Sequence, residues 1–233
     1  MKPSLPQQLV RSSLLAFGAL TLLAGASVAR TGASVSGDSA DEPWDAHPWS
    51  ASESRALRYS YLEGSYLLSD VGDFSDEADG WKLEASLGIA DSFRFFASLA
   101  DSELNQMGAK IDETNLVVGV GYHAPIAPNL DWTLDLAYLE EDTRREVGQG
   151  LGVDLGARWR PTRLLEFSAG GLYHLYDDND VGEDADGIGF RAEGHLWVQD
   201  KLSIFARYEA LSVDVGSNNA DRDNLQIGLR LAL

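Results

Sequence analysis

Between Trp81 and Leu233 the chain passes through nine stretches of about ten residues in which apolar and polar positions alternate. A period of two places successive side chains on opposite faces of an extended strand. In the first stretch Trp81, Leu83, Ala85, Leu87 and Ile89 share one face, and Lys82, Glu84, Ser86 and Gly88 the other. Phe93, Phe95, Ala97 and Leu99 then stand against Arg94, Phe96 and Ser98, and Leu116, Val118, Val120 and Tyr122 against Asn115, Gly119, Gly121 and His123. Leu130, Trp132, Leu134, Leu136 and Tyr138 oppose Asp131, Thr133 and Asp135; Leu151, Val153, Leu155, Ala157 and Trp159 oppose Gly152, Asp154, Gly156 and Arg158. The last four stretches set Glu166, Ser168, Gly170 and His174, then Gly189, Arg191, Glu193 and His195, then Ser203, Arg207 and Glu209, then Gln226, Gly228 and Arg230 against apolar partners. A tenth, less regular stretch runs from about Leu57 to Ser69. Leu62, Gly64, Tyr66 and Leu68 are predicted on its apolar face and Glu63 and Ser65 on its polar face, while Tyr59 and Tyr61 fit neither cleanly.

Across the nine regular stretches no Asp, Glu, Lys or Arg falls on the apolar face, and thirteen fall on the polar face. An Arg or Lys facing mid-bilayer costs about 2–4 kcal/mol, so lipid outside and a polar lumen inside produce this partition. A one-residue slip would turn Arg94, Arg158, Arg191, Arg207 or Arg230 into hydrocarbon, which fixes the register. A soluble sandwich or lipocalin-type barrel is the alternative, but it turns its apolar side inward and its charges outward. The pattern predicts an all-β protein, a transmembrane antiparallel up-and-down β-barrel of about ten strands, with eight as the alternative count. Short turns are predicted near Ala90-Asp91, 124–129, 161–163 and Gln199-Asp200, and long loops near 70–79, 101–113, 140–147, 177–187 and 213–223. An even number of strands returns both termini to the short-turn side, and closure leaves no strand edge unpaired. Aromatic residues gather at the strand ends: Tyr122, Trp132 and Trp159 toward the short turns, Tyr66, Trp81, Tyr138 and Tyr173 toward the long loops. That is where amphipathic rings meet lipid headgroups.

Composition narrows the picture. The net charge of −19 removes nucleic acid as a partner, because phosphate binding needs a basic face. The absence of cysteine excludes disulfides, thiolate metal sites and lipid anchoring through an N-terminal cysteine. Residues 1–29 read as a signal peptide: Lys2 and Arg11 are basic, Leu14 to Leu23 is a short apolar run, and Ser27-Val28-Ala29 has a small-x-small cleavage pattern, with Ala24-Gly25-Ala26 as the alternative. An uncleaved membrane anchor is the competing reading. Residues 30–56, rich in Ser, Ala, Gly and Asp and holding Trp44 and Trp49, are expected to form a disordered periplasmic segment ahead of the barrel at 57–233.

The region from Tyr59 to Leu233 resembles the small bacterial outer-membrane barrels of the OmpA/OmpX-like type, with Tyr61-Leu62-Glu63-Gly64-Ser65-Tyr66 and Asp79-Gly80-Trp81 as short points of likeness. The ending Gln226-x-Gly228-x-x-Leu231-x-Leu233 resembles the signal read by the barrel-assembly machinery, although that signal prefers a terminal aromatic residue. The resemblance implies the bacterial outer membrane as location and carries no catalytic residue or cofactor.

Candidate chemistry lies inside the lumen and in the loops. Lys82, Glu84, Arg94, Asp135, Asp154, Arg158, Glu166, Arg191, Glu193, Arg207, Glu209 and Arg230 are expected to form a lumenal charge network, with Glu63 and Asp131 beside it. Such a network either stiffens a closed barrel or lines a narrow channel. His174, followed by Tyr176, Asp177 and Asp178, marks the only rim position where a hydrolytic group is conceivable, and no matching motif faces it. The acidic loops, above all Asp178, Asp180, Asp184 and Asp186, offer oxygen ligands for divalent cations without EF-hand spacing. The expected partners are outer-membrane lipids and lipopolysaccharide, with divalent cations at the loops, for a monomeric barrel. The expected role is structural or surface-interacting, with a narrow pore as the alternative and a rim hydrolase third.

Overall fold

The computed structural model describes residues 57–71, 76–106, 109–143, 147–177, 185–215 and 218–233. The signal at 1–29, the segment at 30–56 with Trp44 and Trp49, and the loop carboxylates Asp178, Asp180 and Asp184 lie outside the described residues. Ten strands follow one another: β1 Tyr61–Val71, β2 Asp76–Ala90, β3 Phe93–Gln106, β4 Ala109–Ala127, β5 Leu130–Thr143, β6 Val147–Trp159, β7 Leu165–Asp177, β8 Ala185–Trp197, β9 Leu202–Val215 and β10 Asn218–Ala232. Each pairs antiparallel with its sequence neighbours, and β1 pairs with β10 to close the barrel. The count is therefore ten rather than eight.

The strands reach further than the loop boundaries read from composition. Residues 101–106 and 109–113, assigned to a long loop by their acidity, continue β3 and β4, and residues 218–223 belong to β10. Backbone pairing carries the ladder past the apolar band, and charged side chains are tolerated there because that part of each strand lies above hydrocarbon. On the opposite side the turn expected at 124–129 is tighter, while those expected at 161–163 and 199–200 extend over 160–164 and 198–201. β4 runs to Ala127, leaving a turn at 128–129, and its register slips between Pro125 and Ala127, where proline has no N–H for the ladder. At 160–164 Thr162 Oγ1 accepts the N–H groups of Leu164 and Leu165, at 3.3 and 3.0 Å.

The alternating register holds all round. Leu62, Leu83, Phe95, Val120, Leu136, Leu155, Phe167, Phe190, Ile204 and Leu229 point outward and are exposed. Glu63, Asp135, Arg158, Glu166, Glu193, Arg207 and Arg230 are buried inside. A molecule in water would not keep its leucines outside and its arginines in; a molecule in lipid must. Tyr59 and Tyr61, ambiguous in the sequence, belong to the inward face and are 8% and 3% exposed. Both outer rims carry aromatic rings. Tyr66 pairs with Trp81 on the long-loop side, and Tyr122 meets Trp132 at 5.3 Å between ring centres on the short-turn side. Tyrosine hydroxyls of the upper girdle donate to carboxylates above it: Tyr66 to Asp79 and Tyr208 to Asp223, each at 2.9 Å.

Replacing the outward Val153 by Arg is expected to lower the unfolding free energy of the vesicle-embedded barrel by about 2–4 kcal/mol. Urea titration followed by tryptophan fluorescence measures this, and a stability equal to wild type would mean that Val153 does not meet hydrocarbon.

Candidate functional site

The inward register brings charged side chains from distant parts of the sequence to one level of the lumen. Two arginines on adjacent strands, Arg207 of β9 and Arg230 of β10, form the centre. Arg207 donates to Glu63 at 2.9 Å, to Glu84 at 3.2 Å, to the Gln226 side-chain oxygen at 3.3 Å, and to Glu193. Arg230 donates to Glu193 at 2.9 Å, to Glu166 at 3.5 Å, and to Glu63. Arg158 donates to Glu166 at 2.6 Å, and the Trp197 indole donates to the other oxygen of the same carboxylate at 3.2 Å. Aromatic faces cover the remaining guanidinium surface: Arg230 lies 4.1 Å from the Tyr61 ring centre, Arg158 4.8 Å from that of Tyr59, and Arg207 5.4 Å from that of Phe205. Glu166 is 1% exposed, Phe205 2%, and Arg207 and Arg230 3% each. These groups are withdrawn from bulk solvent, and a cavity of about 50 Å³ lies among them, lined by Arg94, Asp135, Arg158, Glu193, Arg207 and Arg230.

A second tier adjoins it. Arg94 donates to Asp135 at 2.6 Å and to the Tyr61 hydroxyl at 3.0 Å, and that hydroxyl donates to Glu84 at 2.7 Å. Arg191 pairs with Asp154. Gly121 makes this tier feasible, because a Cβ there would collide with the Asp135 carboxylate and the Arg94 guanidinium. Lys82 approaches Glu84 only to 3.7 Å, and Glu209 accepts from Asn224 at 3.5 Å. Eight of the twelve residues expected in the lumen are thus joined through shared contacts, Arg191 and Asp154 form a pair of their own, and Lys82 and Glu209 stand at the upper edge.

Several residues that matter here escaped the sequence reading. Trp197, Phe205, Leu67, Leu139, Leu172 and Leu211 point into the lumen and fill it. Strict alternation alone would have placed them there, since each sits between two outward residues. Below the ionic layer, Tyr59 lies ahead of β1 and reaches across the barrel. Its ring stacks on His123 of β4 at 3.5 Å and its hydroxyl donates to Asp131 of β5 at 2.8 Å. Above the layer, the lumen widens into a cavity of about 110 Å³. Arg222 crosses its upper side, donating to both oxygens of Glu113 at 2.6 and 2.7 Å and to Glu141 at 3.4 Å. These three fall in segments first assigned to loops; the ladder continues and turns them inward.

The histidines are members of the packing. His195 lies between Ser203 at 3.0 Å and Glu193, which has the connectivity of a nucleophilic relay. Ser203 is 0% exposed, however, and Glu193 is already bound by two arginines, so a substrate has no approach. Glu63, Glu193 and His195 also lie close enough to share a metal ion, but Arg207 and Arg230 already supply the positive charge there. His174 contacts Tyr176 at 3.2 Å inside the barrel, whereas Asp177 is exposed on the outer face of the same strand. The spacing that suggested a His–Asp rim pair therefore separates the two groups. Asp186 is exposed on the outer face of β8, beside the undescribed stretch that holds the other loop carboxylates.

Closed antiparallel strands, an apolar exterior banded by aromatic rings and an ionic interior define a transmembrane β-barrel of the bacterial outer-membrane type. No family model matches the chain, and no curated protein sequence matches it. Among solved structures it is similar to OmpT of Vibrio cholerae, at 15% identity and a TM-score of 0.37, over 69% of this chain and 57% of that one. It is also similar to Neisserial surface protein A, at 13% identity and 0.39, over 74% and 96%. The β domain of the Bordetella autotransporter BrkA matches at 9% identity and 0.44, over 76% and 100%. The chain spans less than two thirds of the Vibrio protein's length. At these values the likeness is one of barrel architecture.

Glu193→Leu removes the carboxylate shared by Arg207, Arg230 and His195. Breaking a buried ion pair costs about 3–5 kcal/mol, whereas the exposed Asp186→Asn change should stay within about 0.5 kcal/mol. Urea midpoints of the refolded variants compare the two, and equal midpoints would show that the ionic layer contributes nothing to the fold.

Proposed function

We propose that this protein is a closed outer-membrane barrel that acts through its extracellular face, as a structural or surface-interacting monomer. The observation that carries the reading is the buried ionic cluster of Arg207, Arg230, Glu63, Glu166 and Glu193 inside the lumen. An ion traversing the barrel would have to part groups that solvate one another, and the cavity of about 50 Å³ among them has room for only about two waters, taking about 30 Å³ for each, to replace those contacts. A conducting pore of this width would need a wetted polar path instead.

The outer face supports the second half of the proposal. Asp70, Asp79, Asp101, Asp112, Asp177, Asp186, Asp214 and Asp223 are exposed where the strands rise above the apolar band. They form a collar of negative charge on paired backbone at the height of lipid headgroups. Lipopolysaccharide phosphates, joined through divalent cations, and extracellular partners with basic surfaces suit such a collar. The competing narrow-pore reading draws on the cavity above the ionic layer, which gives solvent a way into the upper half.

Planar-bilayer recording on the purified, refolded protein decides between them. Wild-type protein is expected to give no stepwise current at neutral pH, and Arg207→Ser with Arg230→Ser in one chain is expected to give resolved steps. Steady steps from the wild type would overturn the closed reading in favour of the pore.

A further inference from the structure

The cavity above the ionic layer has properties that a water-filled vestibule does not need. Its wall combines the inward aliphatic side chains of Leu67, Val117, Leu139 and Leu211 with polar groups; among the charged ones Arg222 and Glu141 are paired with each other and Glu140 accepts from the outward Tyr138, which leaves Lys82 and Glu209, of opposite sign. A wetted lumen is ordinarily lined by polar groups, so a cluster of aliphatic side chains beside space is informative. At about 110 Å³ the cavity has room for about four waters, taking about 30 Å³ for each, which is the scale of a short aliphatic side chain.

The two charges are placed to be used. One layer below, Arg207 of β9 meets Glu84 of β2 at 3.2 Å, which shows that side chains from these two strands span the lumen. Lys82 and Glu209 stand two residues further up the same strands, with the polarity reversed. Among the described residues no ion pair joins them. Lys82 has Glu84 at 3.7 Å and no closer acid, and Glu209 has a single long hydrogen bond, from Asn224 at 3.5 Å. An ammonium and a carboxylate therefore face one space with an aliphatic patch on its wall, each with bonding capacity left over.

The approach is from outside. Side-chain exposure is 23% at Arg222 and 28% at Glu141, beside the upper opening, but 3–5% at Arg230 and Glu193 in the ionic cluster beneath the cavity. A solute entering from the cell exterior meets the cavity and stops at the ionic layer.

We infer that this chamber is a binding site for a small zwitterion with an apolar side chain, of the α-amino-acid class. The ligand carboxylate is met by Lys82, its ammonium by Glu209, and its aliphatic part by Leu67, Val117, Leu139 and Leu211. A purely apolar ligand would leave both charges without the partners that the site supplies, and a simple anion or cation would leave one of them so.

Isothermal titration of L-leucine into the refolded full-length barrel in detergent tests the assignment. 4-Methylpentanoate and 3-methylbutylamine serve as probes that lack one charge each. Saturable binding with Kd below about 1 mM, that is, beyond about −4.1 kcal/mol, is expected for leucine. Each single-charge probe should bind at least tenfold more weakly. Lys82→Met and Glu209→Gln should each weaken leucine at least tenfold, and Ala100→Phe, which fills the chamber from the position directly across from Lys82 and keeps both charges, should abolish it. The gel-mobility shift on heating reports in every variant whether the barrel has folded. The inference is overturned by the absence of saturable leucine binding to folded wild type, by equal binding of a single-charge probe, or by full binding to folded Ala100→Phe. Conductance of the wild type bears on the closed-lumen reading alone and leaves this result standing.

Discussion

Arg207 and Arg230 are almost wholly withdrawn from water, and their charge is met by Glu63, Glu84, Glu166 and Glu193. Withdrawing a single guanidinium or carboxylate from water costs several kcal/mol, and only dense mutual contact offsets it. That requirement sets the rest of the interior. Each arginine must reach more than one acid, each acid must receive more than one donor, and the strands must stand at the heights that allow it. A shift of register in any one strand would remove its charge from the cluster and place it against acyl chains at the same time. The lipid outside and the ion pairs inside therefore enforce the same alignment.

Ten strands enclose a space that side chains can fill, and this one is filled by two kinds of material. Ionic groups interlock at mid-height, and large rings such as Phe205 and Trp197 press against them. The rings lower the local polarity and strengthen the contacts they cover, and their faces accept the guanidiniums that hydrogen bonding leaves uncovered. Above this level the interior changes character: Leu67, Val117, Leu139 and Leu211 join the wall beside polar groups, and Arg222 with Glu113 and Glu141 forms a separate ionic group near the top. The two halves of the lumen differ in chemistry although the exterior is uniform around them.

Most of this architecture was legible in the chain because period-two alternation and the exclusion of charge from one face act at every residue. The inward placement of Lys82, Arg94, Asp154 and Arg191 needed nothing further. Loop boundaries were less legible. Composition changes where a strand leaves the bilayer, but pairing continues, so residues 101–106 and 109–113 looked like a loop while running along β3 and β4. The same confusion concealed Arg222, Glu113 and Glu141. Tyr59 was obscure for another reason: it precedes the first strand, and its partners His123 and Asp131 are far away in sequence, so no local pattern reveals them. Which acid meets which arginine is likewise a property of a closed cylinder, not of neighbouring residues.

Glu63 belongs to the first strand, and it binds Arg230 of the last, 167 positions later. The same carboxylate takes Arg207 from the strand before. Neither contact exists until the two ends of the sheet meet. An open sheet, however well its hairpins are formed, presents these arginines to its surroundings with part of their counter-charge missing. Sealing the β1–β10 seam is thus the step at which the interior becomes electrostatically whole, and it requires contacts of the greatest sequence separation, which are the slowest to form. Assembly of this barrel should accordingly be all-or-none in its last stage: a latch whose two halves lie at opposite ends of the polypeptide and whose closure dries the centre.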